Sequence, residues 1–214
     1  MAGHAHVAFI DDVAHITRLD KQRFLLLRPR GEVATIFHAM QAQFRARFPA
    51  SEISYPAQPH VTIHGFPAGS SVEQTTHLAR EWARETPPLR IAIERASSFG
   101  LPFKIAIVQI RKTNALTQSM QRARKIAQAS ELPQFPDGAV PTVEQWIFHL
   151  SVAYCSHIPD AVWHDARALA DGLSLPAAVY VATEAELIAF DGGQEHLVGV
   201  FSLSGTASKE TSWN

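Results

Sequence analysis

Apolar positions recur along this chain at two spacings, every second residue in some segments and every third or fourth in others, and their alternation predicts the elements. Arg23 to Arg28 (RFLLLR) is a short apolar run expected as a strand, and Val33, Ile36, Phe37, Met40 and Phe44 follow at helical spacing. Pro59 to Phe66 (PHVTIHGF) is rich in β-branched and aromatic residues and stops at Pro67 and Gly69, as a strand entering a turn does. A second helix is expected next. Ser71 and Gln74 have the spacing of a capping box, Val72, Thr75, Ala79 and Trp82 line one face, and Pro87-Pro88 ends the helix. Leu89 to Ala96 and Lys104 to Lys112 then read as a hairpin, in which Ile105, Ile107 and Gln109 alternate with Ala106 and Val108.

The second half repeats this order. Leu116, Met120, Ala123 and Ala127 mark a helix, and His149 to Cys155 (HLSVAYC) a strand. Val162, Ala166 and Leu169 mark a helix opened by Pro159. A final hairpin is expected from Ala178 to Phe190 and Glu195 to Leu203, turning at Gly192-Gly193. The offset between corresponding elements stays near ninety residues. Such a duplication predicts two similar α/β lobes about an approximate two-fold axis, with a site between them. The whole chain, 1–214, reads as one bilobal domain with an ordered core over about 21–203, a loop over 131–143 and a polar tail over 204–214.

Composition narrows the classes. In 214 residues with 46% hydrophobic and 18% charged positions, the chain has the make-up of a conventionally packed globular protein. A formal net charge of −1 argues against a protein held to nucleic acid by bulk electrostatics. The basic groups at Lys104, Arg111, Lys112 and at Arg122, Arg124, Lys125 read first as solvated faces. Cys155, the one cysteine, excludes an intramolecular disulfide. Together with the lack of a basic-then-apolar start in Met1 to Asp20, it leads to the expectation of a cytoplasmic protein. No run reaches the ~18 apolar residues of a membrane span, and no stable protein partner is expected.

The chemistry-bearing residues fall inside the repeat. On a strand, side chains two apart share a face, so His60 with Thr62 and His149 with Ser151 form two imidazole–hydroxyl pairs at equivalent points of the duplication. If the motif strands lie side by side, both pairs face one ligand. The same alternation places His64 beside His60 and Thr62.

Pro59-His60-Val61-Thr62-Ile63 and His149-Leu150-Ser151-Val152 resemble the paired His-x-Thr/Ser-x motifs of the 2H phosphoesterase superfamily. That superfamily includes the bacterial RNA 2′,3′-cyclic phosphodiesterases, also called 2′-5′ RNA ligases, and the order of elements is similar from about Lys21 to Leu203. The resemblance implies an α/β (α+β) fold of two antiparallel-rich sheets around a central cleft, with helices outside. It also implies hydrolysis of 2′,3′-cyclic phosphates of RNA ends or nucleotides, with 2′-5′ RNA ligation as a further activity, and no metal or other cofactor. His149 would be the base that activates water, His60 the acid that protonates the leaving ribose oxygen, and Thr62 and Ser151 the holders of the phosphate oxygens. Three further residues are expected at the substrate: His64, Tyr154, which replaces an arginine common in bacterial members, and Phe103, which stands where the family tends to place an aromatic near the base.

Two other readings compete. His60, His64 and His149 could ligate a transition metal, although HExxH and CxxC spacings are absent and His4-Ala5-His6 lies in the terminus. A non-catalytic nucleotide- or RNA-binding module of the same fold is the second, and the intact pairs favour an enzyme over it.

Overall fold

The computed structural model of the chain describes residues 19–48, 53–133, 135, 141–192 and 194–205. The His4-Ala5-His6 stretch, Gly193, most of 134–140 and the tail beyond 205 lie outside them.

In chain order the elements are β1 (Arg23–Leu27), α1 (Gly31–Arg47), β2 (Val61–Phe66), α2 (Val72–Glu85), β3 (Leu89–Phe99), β4 (Ile105–Ile110) and α3 (Asn114–Ala129). They continue with β5 (His149–Tyr154), α4 (Asp160–Gly172), β6 (Val179–Ala182), β7 (Glu184–Asp191) and β8 (Gln194–Ser202). The helical spacing in α1 buries Val33, Ile36, Phe37, Met40 and Phe44. Ser71 caps α2, its hydroxyl accepting from the Gln74 amide at 3.5 Å, which satisfies one of the donors a helix start leaves open.

The strands form two antiparallel sheets, in the orders β2-β1-β7-β8 and β5-β4-β3-β6. The expected strand from Ala178 to Phe190 is broken at Thr183. Its first part, β6, pairs with β3 in one sheet and its second, β7, with β1 in the other. Thr183 marks the crossing, and its carbonyl is taken by the Leu203 amide at 2.8 Å. Each sheet therefore combines strands from both sequence halves, and the repeat aligns β4-α3-β5-α4 with β1-α1-β2-α2. The helices are exchanged likewise: α1 and α4 cover the β5 sheet, α2 and α3 the β2 sheet.

One apolar cluster, including Phe37, Phe44, Trp82, Leu116, Leu150 and Trp163, joins the helices to the covered faces. The motif strands β2 and β5 are each the outermost of their sheets and touch one another. The leader to β2 reinforces this junction, because Ser54 and Tyr154 exchange backbone hydrogen bonds of 3.0 and 2.8 Å. Twist coils each sheet so that diagonal corners of the open face converge. Arg28, just past β1, thereby reaches Glu195 at the start of β8, and the Phe99 ring at the end of β3 meets the His149 ring at 4.8 Å between centroids.

Candidate active site

Both motif strands carry a β-bulge at the same place. Thr62 pairs with Leu26 and His64 with Leu25, leaving Ile63 extra; Ser151 pairs with Ile107 and Ala153 with Ala106, leaving Val152 extra. An extra residue reverses the alternation beyond it. His60 just before β2, Thr62 on it, and His149 and Ser151 on β5 face the open cleft, whereas His64 and Ala153 turn to the covered faces.

The bulge also brings Tyr154 back to the cleft, where strict alternation from His149 would have buried it on the other side. His60, Thr62, His149, Ser151 and Tyr154 line one cavity of about 120 Å³, together with Leu19, Phe24, Leu26, Ile188 and Phe190. Drug-sized ligands occupy pockets of roughly 300–1,000 Å³. This cavity is smaller than that. Its walls are divided: two imidazoles and two small hydroxyls on the motif strands, and an apolar surface on β1 and β7.

The His149 imidazole is held by the backbone two residues before it. His149 Nδ1 lies 2.8 Å from the Ile147 carbonyl, which can only accept, so Nδ1 carries the hydrogen and Nε2 is left for the cleft. At His60 the Gln58 backbone is the neighbour that acts to raise the pKa of the ring. Burial lowers the pKa of both rings. For His60 the burial and the nearby Arg28 charge bring it from 6.5 down to about 3, with the Gln58 contact working in the opposite direction. For His149 burial lowers it and the Ile147 contact pulls it back up. Burial raises the Tyr154 phenol, while a hydrogen bond with the Ser151 hydroxyl opposes the rise.

The other expected contacts lie elsewhere. His64 is 9% exposed on the covered face, edge-on to Phe66 at 4.7 Å between centroids. Burial and the Arg124 charge bring its pKa from 6.5 to about 4. The bulge thus keeps His64 from converging with His60 and His149 as a metal ligand set. Among the described residues no cluster of three or more His, Cys, Asp or Glu side chains is placed to hold a metal ion. Phe103 is 64% exposed in the β3–β4 turn and is absent from the cavity lining. Of the basic residues read as solvated, Lys104 is buried, its Nζ bonded to the Ile158 carbonyl and to Asp160, each at 2.7 Å. Cys155 is buried.

Two supporting residues escaped the sequence reading. Gln41, buried on α1, donates to the Pro56 carbonyl at 2.8 Å and to the Val152 carbonyl at 3.1 Å. It ties the leader of His60 to the bulge after Ser151. A lone polar residue on the apolar face of α1 was the available signal. Arg28 gave none, since its partners Glu186 and Glu195 lie 158 and 167 positions away.

Comparison with known proteins follows the same lines. A family model for the 2′-5′ RNA ligase superfamily matches residues 32–194. No curated protein sequence matches the chain. Among solved structures, the fold is similar to TT0787 of Thermus thermophilus, at TM-score 0.62 and 15% identity, over 87% of this chain and 100% of that one. It is similar to Escherichia coli LigT complexed with 3′-AMP, at TM-score 0.58 and 18% identity, over 86% and 98%. The Kluyveromyces marxianus Usb1 structure matches at TM-score 0.52 and 10% identity, over 86% and 98%. Two antiparallel four-stranded sheets with helices on their covered faces are the architecture expected of the 2H phosphoesterases, and among the described residues no helix is long and apolar enough to cross a membrane. With a family match over most of its length, the chain belongs to the 2′-5′ RNA ligase superfamily of 2H phosphoesterases.

Proposed function

We propose that this chain is a metal-independent phosphodiesterase that hydrolyses 2′,3′-cyclic phosphates of nucleotides or RNA ends by two-histidine acid–base catalysis. The observation that carries the reading is the convergence of His60, Thr62, His149 and Ser151 on one cavity from equivalent strands. Hydrolysis needs a water deprotonated on one side of phosphorus and a leaving oxygen protonated on the other. One imidazole takes the water proton as the new P–O bond forms. The second donates its proton to the ribose oxygen as the old P–O bond breaks, and the product is a phosphomonoester beside a free hydroxyl. Each transfer typically contributes ~10²–10⁴-fold. Thr62 and Ser151 donate to the non-bridging oxygens, on which charge grows in the transition state. Tyr154, bonded to Ser151, orients that hydroxyl from where bacterial relatives carry an arginine.

Support for a nucleotide substrate comes from LigT, whose structures are described as complexes with 3′-AMP, ATP and NADP+. The apolar wall of Phe24, Leu26, Ile188 and Phe190 suits a sugar edge better than a second phosphate. A hydrolysis screen tests the reading against RNA 2′,3′-cyclic phosphate ends, free 2′,3′-cyclic nucleotides, 2′-5′-linked oligonucleotides and an ADP-ribose cyclic phosphate, with product regiochemistry determined. Turnover of a 2′,3′-cyclic phosphate is the expected result. Binding without consumption of any of the four would favour the non-catalytic module.

A further inference from the structure

The duplication pairs residues of the helices as well as of the strands. Helix α1 buries Val33, Phe37, Met40 and Phe44, and α3 buries Leu116, Met120, Ala123 and Ala127. Laid over one another from Gly31 and Asn114, the two sets coincide position for position. The same superposition sets Arg124 opposite Gln41, each ten positions after the first residue of its helix. Gln41 holds the leader of His60, so Arg124 stands where a hold on the leader of His149 is expected.

Arg124 makes that hold. It donates from Nη2 to the Pro141 carbonyl at 3.1 Å, and its guanidinium carbon lies 5.5 Å from the centroid of the Trp146 ring, within cation–π range. Lys112, between β4 and α3, holds the same stretch, its Nζ donating to the Val143 carbonyl at 2.6 Å and to the Glu144 carbonyl at 3.0 Å. Within the stretch, the Thr142 and Gln145 amides each donate to the other's side chain, at 3.3 and 3.4 Å. Residues 141–146 thus form a short strap with two cations on it. The strap runs into Ile147, whose carbonyl lies 2.8 Å from His149 Nδ1. The helix that carries Arg124 packs against β2, the strand His60 leads into. Arg124 therefore spans from the lobe of one imidazole to the leader of the other, as Gln41, on the helix packed against β5, does in the opposite sense.

We propose, resting on the functional reading above, that Arg124, with Lys112 as a second anchor, is a positioning residue for His149: it fixes the strap so that the Ile147 carbonyl holds the imidazole in one tautomer and at one distance from His60. A hydrogen on Nδ1, given to a fixed carbonyl, leaves Nε2 as the one nitrogen offered to the cleft. A carbonyl free to swing lets the ring turn and the hydrogen move to the other nitrogen. The peptide joining Ile147 to Phe148 is fixed on its far side by the Ile110 amide, bonded to the Phe148 carbonyl at 2.8 Å, and on its near side by the strap. Misplacing a reacting group by about 1 Å can cost 10²-fold in rate. The two halves meet this need with different side chains because their connections differ. Residues 130–148, after α3, make a longer leader than residues 48–60, after α1, and a long guanidinium with a second anchor spans what a buried amide spans in the first half. Both cations, which the sequence alone presents as solvated faces, are thus bonded to backbone carbonyls of the strap.

The test replaces Arg124 by Met in the full chain, which keeps the stem and removes the guanidinium. Two readouts are taken: the nitrogen NMR signals of the His149 ring, which report its tautomer, and kcat and KM on a nucleoside 2′,3′-cyclic phosphate. Arg124→Met should turn the single Nδ1–H form into a mixture and lower kcat about tenfold, with KM near that of the parent. Lys112→Met should act in the same direction, and serves if Arg124→Met does not fold. Arg124→Lys, which keeps a long donor, should recover most of the loss. Arg111→Gln removes an exposed cation beside Lys112 and leaves the strap's bonds in place, so both readouts should stay at the parent values. A ring that stays in the Nδ1–H form when Arg124→Met and Lys112→Met are combined, or a kcat that does not fall with the change of tautomer, overturns the proposal, whatever happens to stability. An equal loss in Arg111→Gln overturns it too. Absence of turnover in the parent chain overturns the functional reading, and the nitrogen signals then test the hold on His149 by themselves.

Discussion

Thr62 and His64 are two residues apart on β2 yet point to opposite faces of the sheet, because Ile63 is bulged out of the ladder between Leu25 and Leu26. The bulge separates a cleft residue from a buried one, and its repeat at Val152 gives both halves the same geometry. The two histidines of PHVTIHGF therefore have unlike duties. His60 faces the cavity and His64 fills the space under Phe66 and Arg124.

Stability should accordingly depend on pH through His64. Burial keeps this ring neutral in the folded chain, with its pKa brought from 6.5 to about 4. A depressed folded value means that the contribution is fully present above pH 6.5 and is lost as pH falls from there toward 4. The slope is about 1.4 kcal/mol per pH unit for each such proton. His60, lowered in the same sense, adds its own slope over that window. His64→Leu should thus flatten the fall in unfolding free energy between pH 7 and pH 5 by about one proton, while turnover stays near that of the parent chain. Urea unfolding at the two pH values measures it; an unchanged slope, or a collapse of turnover, contradicts the assignment.

Gln41 offers a separate check on how the cavity is held. Gln41→Leu leaves the buried Pro56 and Val152 carbonyls without their donor, and each such loss costs about 1–3 kcal/mol. The variant should lose roughly 2 kcal/mol or more of stability and fall in kcat more than it rises in KM, since His60 and Ser151 lose their common anchor. A change in stability with kcat unaltered would make Gln41 a packing residue only.

Much of this was legible in the sequence, for identifiable reasons. The strands, helices and the Ser71 cap followed from apolar period and local capping, which act over a few residues. The pairing of His60 with His149 followed from the duplication. The break at Thr183 did not, because β6 and β7 form a continuous β-rich run and only their partners, β3 and β1, separate them. His64 was placed on the wrong face because a bulge is a property of two strands, and one strand's alternation carries no sign of it. Arg28 looked like the flank of an apolar run because Glu186 and Glu195 reach it only after the sheet coils.

Chelation tests the form of catalysis. Proton transfer between imidazoles, water and a ribose oxygen calls for no Lewis acid at phosphorus. Turnover of a 2′,3′-cyclic phosphate should persist in excess chelator at the parent rate. A loss restored by zinc or manganese would contradict the acid–base account.

The central claim is tested most directly by replacing the histidines. His60→Ala and His149→Ala should each lower kcat on a nucleoside 2′,3′-cyclic phosphate by ~10²-fold or more, with the fold retained and ligand affinity largely kept through Thr62, Ser151 and the apolar wall. The double variant should lose less than the product of the two single losses, because groups that act as one unit are not additive. Turnover near that of the parent in both single variants, on every cyclic phosphate the parent hydrolyses, would contradict the account.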